Sequence, residues 1–292
     1  MSDDVVQGER SRHDRIRVLS WNLWWRFGDW ERRFEAIQRV LLAERPDICG
    51  LQEVWSTADL NSAQHLADLL GMHYTFFPSP RPERWQERIG ESGIDIGHAI
   101  LSRWPIVRTA HTPLPLAGHK DDGRTVVFAL IDAPVGQIPL FTTQLNSTPG
   151  QSAVRVEQVA AVARFITAQG SSAYPVVLTG DFNAPPESDE VRLMEGHLTA
   201  PAVPGLLLVD AWRYADPDDH GWTWIPANPH VAAMLEPGAR IDYIFVGSPG
   251  ADLAGHVRSV RRVAAEPVGG VWASDHAGVL AELHPGTAPD SI

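Results

Sequence analysis

The amino-acid sequence predicts a mixed α/β fold formed by one domain. Three observations carry this expectation. Apolar runs of strand length recur from residue 16 to residue 283. Helical periodicities lie between some of these runs. No Gly-, Pro- or Ser-rich linker divides the 292 residues cleanly, although that length alone allows one large domain or two ordinary ones.

The first strand is expected over residues 16–23. Trp30, Phe34, Ile37 and Leu41 then repeat on one face of a helix, with Asp29 placed to cap it and Pro46 to end it. Residues 47–51 read as the next strand. A second helix is expected over residues 58–70, with Leu60, Leu66, Leu69 and Leu70 buried. The Arg/Glu alternation of residues 81–88 reads as a solvated loop or helix face. Strand runs at 98–101, 125–131 and 138–145 follow without an obvious helix, which predicts antiparallel pairing. Thr148-Pro149 announces a third helix over residues 151–168, with Val159, Val162 and Ile166 facing inward. Residues 176–178, 241–246 and 277–283 supply the later strands. The Pro- and Gly-rich residues 200–240 read as long loops, often the functional ones in a compact domain. Three arginines within residues 258–262 suit an edge strand.

The expected domain covers residues 15–284, between a disordered N-terminal tail (1–14) and a C-terminal tail (285–292) rich in charge, Gly, Pro and Ser. Residues 1–17 lack the apolar stretch of a signal peptide, and no run of about 18 apolar residues appears. The lone Cys49 could form no disulfide within the chain, so a cytoplasmic setting is expected. Lys and Arg total 24 against 36 Asp and Glu, a net charge of −12. That balance disfavours charge-driven binding along extended duplex DNA. The expected partner is a small or locally recognised substrate, with no integral membrane association and a monomeric chain.

Common phosphate-loop, zincin, nucleophile-elbow and paired-cysteine motifs are absent. Instead, polar residues punctuate strand ends. Asn22 follows Ser20-Trp21, Gln52-Glu53 follows the second strand, and Gly180-Asp181-Phe182-Asn183 follows residues 176–178. Asp242 opens another strand, and Ser274-Asp275-His276 precedes the last. Strand ends are where α/β proteins place their sites. Carboxylates, Asn and His are the groups that hold Mg²⁺ and polarise a phosphate. Taken singly, Asp181 reads as a turn residue, Glu53 as a solvated charge, Asn22 as a structural amide and His276 as an ordinary histidine. Together, in chain order, they are hard to explain separately.

With Ala99-Ile100-Leu101-Ser102-Arg103 and Ile241-Asp242-Tyr243-Ile244, these segments resemble the endonuclease/exonuclease/phosphatase superfamily, which spans nucleases, sphingomyelinases and phosphatases. The resemblance implies a four-layer αββα sandwich of two packed mixed β-sheets. It implies Glu53 as main metal ligand, with Asn22 and Asp275 in or beside the metal shell. Asp181 would activate water, with Asn183 beside it. His276 would contact the phosphate, with Asp242 bonded to its ring. Two departures stand out. Thr143-Gln144-Leu145 replaces the family's common Thr-His-Leu, and Gln144 can donate a hydrogen bond but cannot give up a proton near neutral pH. His98 stands where Asn is common, either as an orienting side chain or as a phosphate contact in place of the missing histidine.

The sequence also holds 11 tryptophans against 4 tyrosines. Trp21 reads as core, Trp272 falls near a site motif, and Trp222 and Trp224 sit in the loop before Ile241-Asp242, while Trp24, Trp25 and Trp55 fall just past strand ends and are candidates for an aromatic rim. The expected activity is Mg²⁺-dependent hydrolysis of a phosphate ester, with Mn²⁺ as a substitute. A phosphodiester comes first, with a phosphomonoester, or a non-catalytic binding module, as alternatives.

Overall fold

The computed structural model describes residues 14–116, 118 and 123–286 of the chain. The expected tails fall largely outside them, at residues 1–13 and 287–292. The first half of the described chain contains β1 (Ile16–Asn22), α1 (Trp30–Glu44), β2 (Ile48–Ser56), α2 (Ser62–Leu70), β3 (His73–Pro78), α3 (Glu83–Ile89), β4 (Asp95–Ser102), β5 (Ile106–Pro113), β6 (Thr125–Ala133) and β7 (Gly136–Gln144). The second contains α4 (Ser152–Ala168), β8 (Val177–Asp181), α5 (Asp189–Glu195), β9 (Leu208–Asp210), α6 (Pro229–Ala232), β10 (Asp242–Gly247), β11 (Val257–Val263) and β12 (Gly278–Leu283).

Alternation along the strands decides the layering. Ile16 and Val18 of β1 join Ile48, Ile100, Leu140, Val177, Ile244 and Val279 in an apolar layer between two sheets. Leu19 and Trp21, on the other face of β1, pack with Cys49, Leu51 and Leu101 under Ile37 and Leu41 of α1 and Leu66 of α2. On the second sheet, Phe128, Phe141, Leu178 and Phe245 pack under Val159, Val162 and Ile166 of α4 and Met194 of α5. Each fully buried side chain of this size contributes about 1.5–3 kcal/mol. Both faces of both sheets therefore demand cover, and the result is the αββα sandwich.

The first sheet has strand order β11-β12-β1-β2-β4-β3 and the second β5-β6-β7-β8-β10-β9. Both are mixed. β1 runs parallel to β2, and β7 parallel to β8; all other named pairings are antiparallel. A parallel pair needs a long crossover, and α1 and α4 supply these. The sheets approach closely at Gly50, where a Cβ would stand 1.9 Å from Thr179 Oγ1. Gln52 Nε2 bridges the layers beside it, donating to Thr142 Oγ1 at 2.7 Å.

Several local expectations change. The second helix starts at Ser62, because the Asn61 side chain accepts from the N–H groups of Ala63 and Gln64. Leu60 then falls in the preceding turn, 46% exposed, and Leu69 also reaches the surface. Asp29 sits at the start of α1, but its side chain makes no capping bond. Residues 83–89 within the Arg/Glu-rich stretch are helical as α3. The arginine-bearing β11 is an edge strand, as its charge suggests. The Pro- and Gly-rich loops contain short β9 and α6. No helix among the described residues is long and apolar enough to cross a membrane.

Candidate active site

The layer between the sheets turns polar at one end. Continuing the same strand faces leads from Val18 to Ser20 and Asn22, from Ile48 to Gln52, from Leu140 to Thr142 and Gln144, and from Val177 to Thr179 and Asp181. On the antiparallel neighbours it leads back from Ile100 to His98, from Val127 to Thr125 and from Ile244 to Asp242. All these polar residues are buried.

Asp181 is the hub. Its Oδ2 accepts from Asn22 Nδ2 at 3.1 Å, Gln144 Nε2 at 3.1 Å and Asn183 Nδ2 at 3.3 Å. Its Oδ1 accepts from the Asn183 backbone N–H at 3.0 Å. Asn183 adopts φ 49° and also donates from Nδ2 to the Leu145 carbonyl at 3.1 Å. Gln144 Nε2 donates to Glu53 Oε1 at 2.7 Å as well, so one amide bridges both carboxylates.

Glu53 reaches this point through an irregularity. The β2–β4 register shifts between Leu51 and Val54, and Glu53 takes φ 52°. Bulges of this kind re-aim a side chain, and a left-handed non-glycine residue stores strain that the surroundings must hold. Its Oε2 is buried with no hydrogen-bond partner.

His276 Nδ1 lies 2.8 Å from Asp242 Oδ2, and its Nε2 lies 4.0 Å from both Asp181 Oδ2 and Asp275 Oδ1. Burial alone would lower the imidazole pKa, but Asp242, Asp275 and Asp181 raise it well above the usual range. Burial pushes the Asp275 carboxyl up to about 7, with nearby Glu53 adding to the shift and His276 and Arg33 opposing it. Ser274 Oγ fixes the segment, donating to the Asn22 carbonyl at 2.7 Å.

The donor chemistry fits a divalent metal. Among the described residues, Asp181, Asp242 and His276 bring one possible ligand atom each to within 4.8 Å of one another. Metal-ligating His must be neutral, however, and His276 is held cationic with Nδ1 committed to Asp242. The orphaned Glu53 Oε2 is the better anchor, since a buried carboxylate oxygen without a donor calls for a cation. Asp275 is close enough to feel the Glu53 charge. The Asn22 amide already donates to Asp181 and accepts from the Trp24 N–H at 2.9 Å.

Arg33, on the first turn of α1, is a residue that the sequence patterns do not single out. It is 1% exposed. Its Nε donates to the Phe27 carbonyl, one terminal nitrogen to Leu23 and Ala273, and the other to Trp24 and Trp25. This fork clasps the loop after β1, where Trp24 and Trp25 adopt φ 58° and 39°. Burial lowers its pKa to about 10, with Asp275, Glu53 and Asp29 opposing, so it stays a cation at neutral pH. Lysine keeps the charge but not the fork. Arg33→Lys is expected to lose about 2 kcal/mol or more in a denaturant melt, because buried carbonyls lose their donors.

The tryptophans divide. Trp21 is core, its Nε1 donating to the His276 carbonyl at 3.0 Å. Trp25 and Trp55 leave the expected rim for a buried cluster with Trp85, Ile94 and Ile96. Trp24 packs on the His230 ring, Trp224 against His276, and exposed Trp222 on His220. Trp272 is half-buried.

His98 is buried on β4, and burial first, then Arg124, lowers its pKa from 6.5 to about 3. It is therefore no cation for a phosphate. The depressed pKa gives a stability contribution that is full above pH 6.5 and is lost as pH falls toward 3, because the unfolded chain takes up the proton first. Between these limits each pH unit costs up to about 1.4 kcal/mol. His98→Asn is expected to flatten the fall in melting temperature between pH 6.5 and 4.5, roughly the upper part of that window; parallel curves for the two proteins would refute the neutral-histidine assignment.

Sequence and fold comparisons agree with this architecture. An Inositol phosphosphingolipids phospholipase C of Schizosaccharomyces pombe is 28% identical over 220 residues, covering 70% of this chain and 47% of the relative. The chain spans about half the length of the curated relatives it matches. The human Nocturnin catalytic domain with bound sulfate superposes with a TM-score of 0.70 at 22% identity, covering 92% of this chain and 94% of that one. A D. rerio TDP2 complexed with single strand DNA product gives a TM-score of 0.69 at 20% identity, with coverage of 92% and 98%. The profile of one family matches residues 19–276, from the first strand through the His276 segment, and by that match the chain belongs to the Endonuclease/Exonuclease/phosphatase family, whose members are hydrolases acting on phosphate esters.

Proposed function

We propose that the chain is a divalent-metal-dependent phosphodiesterase. One observation carries the reading. The Asp181 carboxylate is held by three side-chain amides, beside a Glu53 oxygen that is buried without a partner. Glu53 and Asp275, with Asn22 beside them, would hold Mg²⁺, or Mn²⁺ as a substitute. Bound there, the ion would supply charge neutralisation at the phosphoryl oxygens.

The chain's own residues do the rest. Asp181 accepts a proton from the attacking water, whose oxygen bonds to phosphorus as the ester P–O bond breaks. Asn183 positions that water or a phosphoryl oxygen. His276, kept cationic by Asp242, donates where negative charge builds. Gln144 donates a hydrogen bond but no proton, so the ester oxygen departs as an alkoxide that takes its proton from solvent.

The substrate in this reading is small or locally recognised, in keeping with a net charge of −12. The lipid and DNA chemistries named for the related proteins are both compatible with a phosphodiester. Hydrolysis of bis-p-nitrophenyl phosphate with Mg²⁺, Mn²⁺ or EDTA tests the proposal. Turnover restored by metal after EDTA is the expected result. Turnover only on p-nitrophenyl phosphate would replace the diesterase with a monoesterase, and turnover on neither would favour a binding module.

A further inference from the structure

A small recess adjoins the site and is not used by the chemistry above. His98, Arg124, Gln144, Trp85, Ser79 and Gly123 are among its walls. Its volume is about 20 Å³, room for one water-sized group such as a hydroxyl. Gln144 joins it to the site, since the same amide donates to Glu53 and Asp181.

Two features give the recess a chemical preference. The first is an orphaned acceptor. The Thr125 backbone carbonyl lies against the His98 ring and partly offsets the fall in its pKa, while Nδ1 is buried with no hydrogen-bond partner. In the neutral ring with its proton assigned to Nε2, Nδ1 offers a lone pair and nothing else. A buried acceptor of this kind is costly to leave unmade and is normally met by a ligand or an ordered water.

The second feature is a sunken cation. Arg124 is 4% exposed. Its guanidinium donates to Ser147 Oγ at 3.1 Å and lies 5.5 Å from the Trp85 ring centre. A neutral O–H entering here satisfies His98 and meets no repulsion. A quaternary ammonium has no N–H or O–H to offer Nδ1 and is too large for a volume of about 20 Å³.

We propose that this recess is a substrate subsite that receives a hydroxyl on the alcohol substituent of the phosphoester, with His98 Nδ1 accepting its hydrogen bond, and that it selects hydroxyl-bearing substituents over quaternary-ammonium ones. The proposal rests on the phosphodiesterase reading, and its test separates the two.

The substrates are the p-nitrophenyl phosphodiesters of propanediol, of its monomethyl ether and of choline. The expected result is a kcat/KM about ten-fold higher for the propanediol ester than for its methyl ether, and a lower value still for the choline ester. In His98→Phe the propanediol-to-ether ratio falls toward one. Equal kcat/KM values in the wild-type protein, or a ratio unchanged in His98→Phe, overturn the proposal. The wild-type comparison needs no variant to fold.

A second readout does not need turnover. Titrating propanediol phosphate into the protein should shift the His98 Nδ1 nitrogen resonance, whereas the methyl ether should leave it in place. No shift with propanediol phosphate, or equal shifts with both, overturns the subsite. If bis-p-nitrophenyl phosphate is not hydrolysed with any metal, the phosphodiesterase reading has failed, and the subsite is decided by the resonance alone.

Discussion

Asp181→Asn is expected to lower kcat on bis-p-nitrophenyl phosphate by about 10²–10⁴-fold, the range for losing a general base. Asparagine keeps the shape of the side chain but cannot take a proton. The structural cost is small and partly offset. One atom of the new amide would face N–H donors from Asn22, Gln144 or Asn183, where a carboxylate oxygen accepted them. That mismatch costs about 1–3 kcal/mol. Against it, the change removes one negative charge from a buried cluster that also contains Asp242 and Asp275. A melting temperature within about 5 °C of wild type is therefore expected. Wild-type turnover would remove Asp181 from its role, and a collapsed melting temperature would show that the residue is structural.

Glu53→Gln has the second large effect, and its signature differs. Loss of a metal ligand should weaken Mn²⁺ binding, read by calorimetry, by at least about 10²-fold, since even groups behind the ligands contribute 10–100-fold. Activity should fall with it and recover little at high metal. The metal-free protein should be no less stable, because Glu53 raises the Asp275 carboxyl by like-charge repulsion and a neutral amide in its place would not. Unchanged Mn²⁺ affinity would move the metal away from Glu53, toward the Asp181–Asp242–His276 group.

Much of this arrangement is legible in the sequence because it obeys period-two alternation. Val18-to-Asn22, Val177-to-Asp181 and Ile244-to-Asp242 each continue an apolar strand face into a polar residue. That pattern puts Asn22, Asp181 and Asp242 at the polar ends of strands, and their convergence on one site is what the family resemblance implies. Glu53 breaks the rule. Leu51 faces the helices, and only the bulge with φ 52° turns Glu53 into the site. No residue type announces that conformation. Arg33 is hidden for a different reason. Its partners are all backbone carbonyls, which leave no side-chain signature to match. Trp25 and Trp55 sit beside site residues in sequence but turn into a buried cluster with Trp85, a contact that depends on where α3 packs. The polar end of β4 is visible as His98, but its neutral state comes from burial and Arg124, which neighbours in sequence do not reveal.

The Arg33 fork has a kinetic consequence. It binds carbonyls of residues 23–27 and of Ala273, the last of them 240 residues from Arg33 along the chain. Neither segment can open alone without exposing a buried guanidinium. Amide hydrogens of the loop after β1, of the segment before His276 and of the first turns of α1 should then exchange with solvent together, as one cooperative unit. The rigidity of the site on the millisecond-to-hour scale is in this way inherited from the first helix.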